Sequence, residues 1–225
     1  MTLYIGTATV NNWKYLELML NSLKSKHDFE VLIIDNGSEE DTVNWIKNSG
    51  YNAVYNSTNF GVSKAWNQII YWALSHEDME LVLVPNNDIV LHPQTLDNLM
   101  ESVLIHGKGG VSGLNIGAHP EMLDTFTNPT DAEHRYNPAM NFSLFGLTKP
   151  TITRVGLFDE GFKLAYFEDN DYHTRMKNED INNSCDTWAP FTHFGSRTIK
   201  EGGVNHHAAF RANREYFMRK WGFLP

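Results

Sequence analysis

Three polar clusters in this sequence carry residue types suited to handling a diphosphate and a hydroxyl. Asn86-Asn87-Asp88 follows the apolar run LVLVP. A departing diphosphate needs its charge balanced. A divalent cation held by one or two oxygen ligands does this and keeps positions open for phosphate. Asp88 is the anionic ligand on offer, although a lone Asp after a strand is more often a turn or cap residue. Glu168-Asp169-Asn170-Asp171 follows the aromatic stretch LAYF. A carboxylate there could act as general base toward an attacking hydroxyl. Acids also favour helix N-termini for dipole reasons alone. Asp35 ends the run VLII and could accept hydrogen bonds from a base edge or a ribose hydroxyl, or cap its own turn. A neutral imidazole could complete a metal shell; His193, His206 and His207 are the candidates, and spacing does not choose among them.

Some chemistries have no sequence support. HExxH, paired CxxC, GxGxxG and GxxxxGK[ST] are all absent, which counts against a zinc hydrolase, a dehydrogenase and a P-loop phosphotransferase. Cys185 is the only cysteine, so it reads as a buried structural thiol. Gly61, in Asn59-Phe60-Gly61, gives a flexible point where backbone can approach a ligand closely.

The elements that must position these residues alternate in the first half. Leu3 to Val10 and Leu81 to Val84 read as buried strands, Val31 to Ile34 as a second continuous apolar run, and Ala53 to Tyr55 as a brief strand. Leu16, Met19, Leu20 and Leu23, then Thr42 to Lys47, then Val62, Ala65, Trp66, Ile69, Ile70 and Ala73 mark intervening helices. Pro93 opens a further helix carrying Leu96, Leu99, Met100 and Val103. Continuous apolar strands between helices predict a parallel sheet covered on both faces. Ligands of such sheets bind beyond the strands' carboxyl ends, where Thr7, Thr9, Asp35 and Asn86-Asn87-Asp88 lie. The second half is less regular: a loop from Gly117 to Pro138, a strand from Met140 to Leu147, a helix from Glu168 to Lys177 and another from His207 to Trp221.

Length and charge bound the rest. The 225 residues, 41% apolar and 20% charged, suit one globular domain. No apolar stretch is long enough for a membrane span, and the start MTLYIGTATVNN is no signal peptide, so a cytoplasmic location is expected. The net charge of −9 argues against tight nucleic-acid binding without excluding a local basic groove. Arg211, Arg214, Arg219 and Lys220 form a basic cluster that reads as a solvated helix face.

Taken in order, these pieces resemble the family 2 glycosyltransferases of GT-A fold, in particular the rhamnosyltransferase-like branch, over nearly the whole chain. The family's VDNGS block appears as Ile34-Asp35-Asn36-Gly37-Ser38, and its N-x-G block as Asn59-Phe60-Gly61 through Asn67. Its DXD-like element appears as Asn86-Asn87-Asp88, with Asn in place of the first Asp. Its acceptor block VGxFDExF spans Val155 to Phe162, and ED-x-D-x-x-x-R spans Glu168 to Arg175. H-x-G-S appears as His193 to Ser196, and KWG as Lys220-Trp221-Gly222.

The resemblance implies an α/β GT-A domain over residues 1–225, Rossmann-like, with a mostly parallel central sheet flanked by helices. Residues 1–92 would bind the nucleotide sugar; 93–225 would bind the acceptor and carry catalysis. Thr7, Thr9 and Asp35 would hold uridine, and Asn59, Gly61, Asn67, Asn86 and Asn87 would line the nucleotide-sugar pocket. Asp88 and His193 would ligate Mn²⁺ or Mg²⁺. Asp169 would be the base, with Glu168 the second choice. The implied reaction is an inverting hexosyl transfer to a glycan or other hydroxyl acceptor, from UDP-glucose or UDP-galactose, with dTDP-rhamnose behind. Two rivals stand beside it: a catalytically silent nucleotide-sugar-binding module, and a sugar-nucleotide pyrophosphorylase-like enzyme. The latter normally carries a Gly-rich, Arg-containing loop after the first strand, where this chain has TATVNNWK.

Overall fold

The computed structural model describes residues 2–128, 135–195 and 206–225. Strand β1 (Leu3–Thr9), helix α1 (Trp13–Ser22), β2 (Phe29–Asp35), α2 (Glu40–Ser49), β3 (Asn52–Tyr55), α3 (Val62–Leu74) and β4 (Leu81–Pro85) alternate as the apolar runs predict. β1 pairs in parallel with β2 and β4, and β2 with β3.

The continuous apolar runs have a simple cause. Successive strand side chains face opposite sides of the sheet, and both sides are covered. Leu3, Ile5, Val31, Ile33, Leu81 and Leu83 share one core layer with Leu16, Met19 and Ile46 of α1 and α2. Tyr4, Leu32, Ile34, Val82 and Val84 share the other with Trp66, Ile69 and Ile70 of α3. Packing is close enough that a Cβ on Gly6 would stand 2.1 Å from Ile69 Cγ2.

The second half extends the same sheet with mixed pairing. β5 (Ile89–Leu91), α4 (Thr95–Leu104), β6 (Gly110–Asn115), β7 (Tyr136–Asn137), β8 (Leu144–Thr148), α5 (Lys149–Val155), α6 (Glu168–Asn178), β9 (Asn183–His193) and α7 (His206–Trp221) follow. The strand order is β3-β2-β1-β4-β8-β6-β9-β5, with β7 also on β9. β8 is antiparallel to β4 and β6, β5 and β7 are antiparallel to β9, and β6 is parallel to β9. Five elements, β5, β6, β7, α5 and β9, lie outside the sequence expectations. β6 is the glycine-bearing GVSGLN. α5 is seven residues long, started by Thr148, whose hydroxyl accepts from Thr151 N at 3.4 Å. β9 carries Pro190 at a register shift opposite Leu114, a place where a strand tolerates the missing N–H.

Other boundaries move for local reasons. α4 begins at Thr95, because Pro93 lies in a turn closed by Thr95 N to His92 O at 2.9 Å. β8 begins four residues after Met140, because Asn141 Oδ1 accepts from Ser143 N at 2.9 Å and makes a turn. The segment expected to be a loop from Gly117 to Pro138 contains a 3-10 turn at Pro120–Met122 and strand β7; its residues 129–134 lie outside the described residues. No helix among the described residues is long and apolar enough to cross a membrane.

Candidate active site

A cavity of about 350 Å³ opens at the carboxyl ends of β1, β2 and β4. Thr9, Asn36, Asn59 and Asn86 to Asp88 line it. Asn141 to Ser143, Leu164 to Tyr166, Glu168, Asp169 and His193 line it as well. The acids at 88 and 169, far apart in sequence, therefore share one crevice.

Local bonding explains the first set. Thr9 Oγ1 accepts from Asn87 Nδ2 at 2.8 Å and donates to Asn11 O at 2.8 Å, fixing the turn after β1. Asn36 knits the neighbouring loops. Its Oδ1 accepts from Phe60 N and Asn56 Nδ2, and its Nδ2 donates to Asn59 Oδ1 at 3.0 Å. Asp35 is buried and turned toward its own loop, accepting from Ser38 N at 3.1 Å. Thr7 is fully buried within β1. Neither Thr7 nor Asp35 lines the cavity.

Gly61 and Asn67 support the wall from behind. Gly61 has φ +89 and ψ 167, a region open essentially to glycine alone. A Cβ there would lie 2.9 Å from Leu164 N. Asn67 grips the segment before the wall: Nδ2 donates to Phe158 O and Glu160 Oε1 at 3.0 Å, and Oδ1 accepts from Phe158 N at 2.9 Å. None of Val155 to Phe162, the block expected to meet the acceptor, lines the cavity. Asp159 instead pairs with Lys220 Nζ at 2.7 Å and accepts from Tyr216 OH at 3.0 Å. Lys220 also reaches the fully buried Asp171, at 2.7 Å, which takes Trp221 Nε1 at 2.9 Å and Arg175 Nε at 2.9 Å as well. The basic cluster on α7 is thus partly structural, with Arg211, Arg214 and Arg219 exposed.

Sheet register brings Asp88 and His193 together. Ile89 pairs with His193 across β5 and β9. Asp88 Oδ1 then lies 3.0 Å from His193 Nε2, and His193 Nδ1 faces Ser143 Oγ at 3.3 Å. The donor set fits a divalent cation. One carboxylate oxygen and one imidazole nitrogen 3.0 Å apart are spaced as neighbouring corners of an octahedron with bonds of about 2.1 Å. Among the described residues no group of three or more His, Cys, Asp or Glu is gathered around one point, so this pair would leave most positions to phosphate oxygens and water. His207 is exposed on α7, and the side chain of His206 lies outside the described residues.

The acidic pair lines the same cavity from the start of α6. Glu168 is 6% exposed and its Oε2 has no hydrogen-bond partner. Burial first, and the neighbouring Asp169 charge second, push its pKa up to about 8. Asp169 is raised by burial as well, with its own backbone amide, that of Asn170 and the His173 imidazole acting the other way. The segment feeding them is strained: Leu164, Tyr166 and Phe167 have φ of 61°, 88° and 70°, each costing of order 1–3 kcal/mol for a non-glycine residue. Sequence reasoning did not single out Asn36, Trp66, Asn141 to Ser143 or Leu164 to Tyr166 as lining residues. Asn36 carried a signal, standing within the turn cluster after β2. The others had none, since apolar and small residues acquire a site role only through tertiary placement.

Comparison with known proteins gives this geometry a family. The model of glycosyl transferase family 2 matches residues 4–202. A galactofuranosyl glycosyltransferase of Leishmania donovani is 32% identical over 79 residues, 35% of this chain and 18% of that protein. Among solved structures, GalNAc-T7 with UDP, GalNAc and Mn²⁺ aligns at a TM-score of 0.68 and 13% identity, over 86% of this chain and 44% of that one. The mannosyltransferase PcManGT of Pyrobaculum calidifontis, with GDP-Man and Mn²⁺, aligns at 0.67 and 15%, over 100% and 65%. S. aureus TarS 1-349 with UDP aligns at 0.62 and 17%, over 99% and 72%. The chain thus spans less than a fifth of the Leishmania relative and under half of the GalNAc-T7 chain. At these identities the structural likeness shows a shared fold, GT-A. Together with the family match over most of its length, it establishes that the chain belongs to glycosyl transferase family 2.

Proposed function

We propose that this chain is a metal-dependent, inverting glycosyltransferase of the rhamnosyltransferase-like branch. It moves a hexose from a nucleotide sugar, UDP-glucose or UDP-galactose before dTDP-rhamnose, to a hydroxyl of a glycan or similar acceptor. One observation carries the reading. A single crevice is lined both by a cation-ready Asp88–His193 pair and by the Glu168–Asp169 pair. Among its described lining residues there is no lysine or arginine, so a diphosphate entering would meet carboxylates with no fixed cation to offset them. UDP or GDP and Mn²⁺ accompany GalNAc-T7 and PcManGT, which supports the same choice of donor and metal.

Asp88 and His193 would hold Mn²⁺ or Mg²⁺, which supplies charge balance to the diphosphate. Asn59, Asn86 and Asn87 present amides to the donor, and Thr9 with Asn36 shapes the nucleoside end. Asp169 takes the proton from the acceptor hydroxyl. The acceptor oxygen attacks the anomeric carbon as the bond from that carbon to the diphosphate oxygen breaks, and the nucleoside diphosphate leaves with the bonding pair. One displacement inverts the centre, so an α-linked donor yields a β-linked product. Residues 1–92 serve the donor and 93–225 the acceptor and the chemistry. The lone buried thiol, Cys185, accords with a reducing, cytoplasmic setting.

The test is a panel of nucleotide sugars incubated with Mn²⁺ and scored for slow donor hydrolysis, followed by the anomeric configuration of any glycoside formed. Turnover of one UDP-sugar with inversion is expected. Retention would overturn the single displacement, and UDP binding with no turnover of any donor would favour the silent binding module.

A further inference from the structure

Helix α7 packs Phe210 and Phe217 against Tyr166 and Phe167, and it bonds the backbone of the cavity wall through Asn213, which does not itself line the cavity. Asn213 is 2% exposed. Its Oδ1 accepts from Lys163 N at 3.0 Å, and its Nδ2 faces the carbonyls of Lys163, Ala165 and Tyr166 at 2.8, 2.9 and 3.1 Å. An amide side chain offers an acceptor oxygen and two N–H donors, and here both N–H groups and the oxygen are engaged by four backbone groups of one short segment. That segment, 163–167, is the wall with three left-handed residues, and it runs directly into Glu168 and Asp169. Away from α7, Val62 N donates to Leu164 O at 2.7 Å, Asp171 N donates to Phe167 O at 2.9 Å, and the bare Cα of Gly61 lies against Leu164. A backbone kept out of its preferred region persists only where its surroundings over-determine it, and Asn213 supplies most of the hydrogen bonds that do so.

We propose that Asn213 is a positioning residue for the transfer reaction: by fixing the backbone of 163–166 it sets where Asp169 meets the acceptor hydroxyl. The assignment rests on the glycosyltransferase reading above. It concerns geometry rather than contact, since Asn213 touches no reacting atom. Its signature is a loss in turnover that exceeds any loss in nucleotide affinity, because the Asp88–His193 wall is built by β5 and β9 and does not depend on α7 for its register.

Three proteins decide it: wild type, Asn213→Ala and Trp221→Phe, the last removing a different α7 bond, that to Asp171. Each is measured for melting temperature, hydrogen exchange of the 163–167 amides, UDP affinity in Mn²⁺, and turnover of the UDP-sugar that wild type uses. Asn213→Ala should lower kcat about a hundredfold while UDP affinity stays within about twofold, since a small misplacement of a reacting group costs rate rather than binding. Its 163–167 amides should exchange faster than those of wild type. Trp221→Phe should lose melting temperature yet keep kcat near wild type. Asn213→Ser, which retains one donor, should fall between and serves if the alanine variant does not fold. Wild-type kcat in Asn213→Ala, or an equal kcat loss in Trp221→Phe, would overturn the proposal. If wild type turns over no nucleotide sugar of the panel, the glycosyltransferase reading itself fails, whatever the exchange data show.

Discussion

Glu168 and Asp169 are adjacent and chemically alike, yet their surroundings divide the work between them. With a pKa near 8, Glu168 holds its proton at neutral pH. Asp169 is raised as well, by burial first, with the amides of Asn170 and Asp169 and the His173 imidazole acting against it; it is the base of the proposed reaction. Asp169→Asn should therefore lower transfer by about 10²–10⁴-fold while UDP binding in Mn²⁺, read by calorimetry, persists; loss of binding would point to a donor role instead. Glu168 makes a separate claim on stability. A carboxyl whose folded pKa is raised gives its full support below the unfolded value near 4.5 and loses it as pH climbs toward 8. The slope is about 1.4 kcal/mol per pH unit at most. Glu168→Gln should flatten the fall of melting temperature between those limits and be the more stable protein at pH 8. An unchanged pH profile would mean the carboxyl is already ionised. Sequence reading found this acidic pair and placed the base at Asp169, but the physical difference between the two positions is burial, which belongs to the folded chain.

Among elements, the strained segment before α6 depends on a glycine opposite it. Gly61→Ala would place a Cβ 2.9 Å from Leu164 N in a backbone conformation with φ +89. A destabilisation of roughly 1–3 kcal/mol is expected, read from denaturant midpoints, together with reduced turnover as the wall shifts. A neutral effect would show that the wall can move away freely. The N-x-G motif thus marked an important glycine, while its part in the structure is to let two backbones meet. The first-half elements were legible because strands buried on both faces leave unbroken apolar runs. β9 was not, because eleven residues including Asp186, Pro190 and several hydroxyls resemble no strand until Arg135 neutralises Asp186, at 2.9 Å, and β6 accommodates the proline. His193, at the end of that strand, was found from a motif rather than from any element, and β9 is what aligns it with Asp88.

For the molecule as a whole, charge is the governing quantity. A net charge of −9 and carboxylates at 88 and 169 around the cavity repel a nucleoside diphosphate. Removing divalent metal with a chelator should weaken UDP binding by at least about tenfold, some 1.4 kcal/mol, and Asp88→Ala should reproduce that loss in the presence of Mn²⁺. Equal affinity with and without chelator would leave the cation without a part in binding the donor. One further consequence follows from sheet order. The Asp88–His193 contact joins residues 105 positions apart, through a strand pair, β5 with β9, at one margin of the sheet. Such distant pairings are slow to form. A nascent chain that has emerged only through β8 has all four parallel strands and Asp88, but no imidazole beside it. A cation held by that pair would therefore not seed the fold but lock one already reached, and refolding is expected to proceed at the same rate with Mn²⁺ as without while unfolding slows.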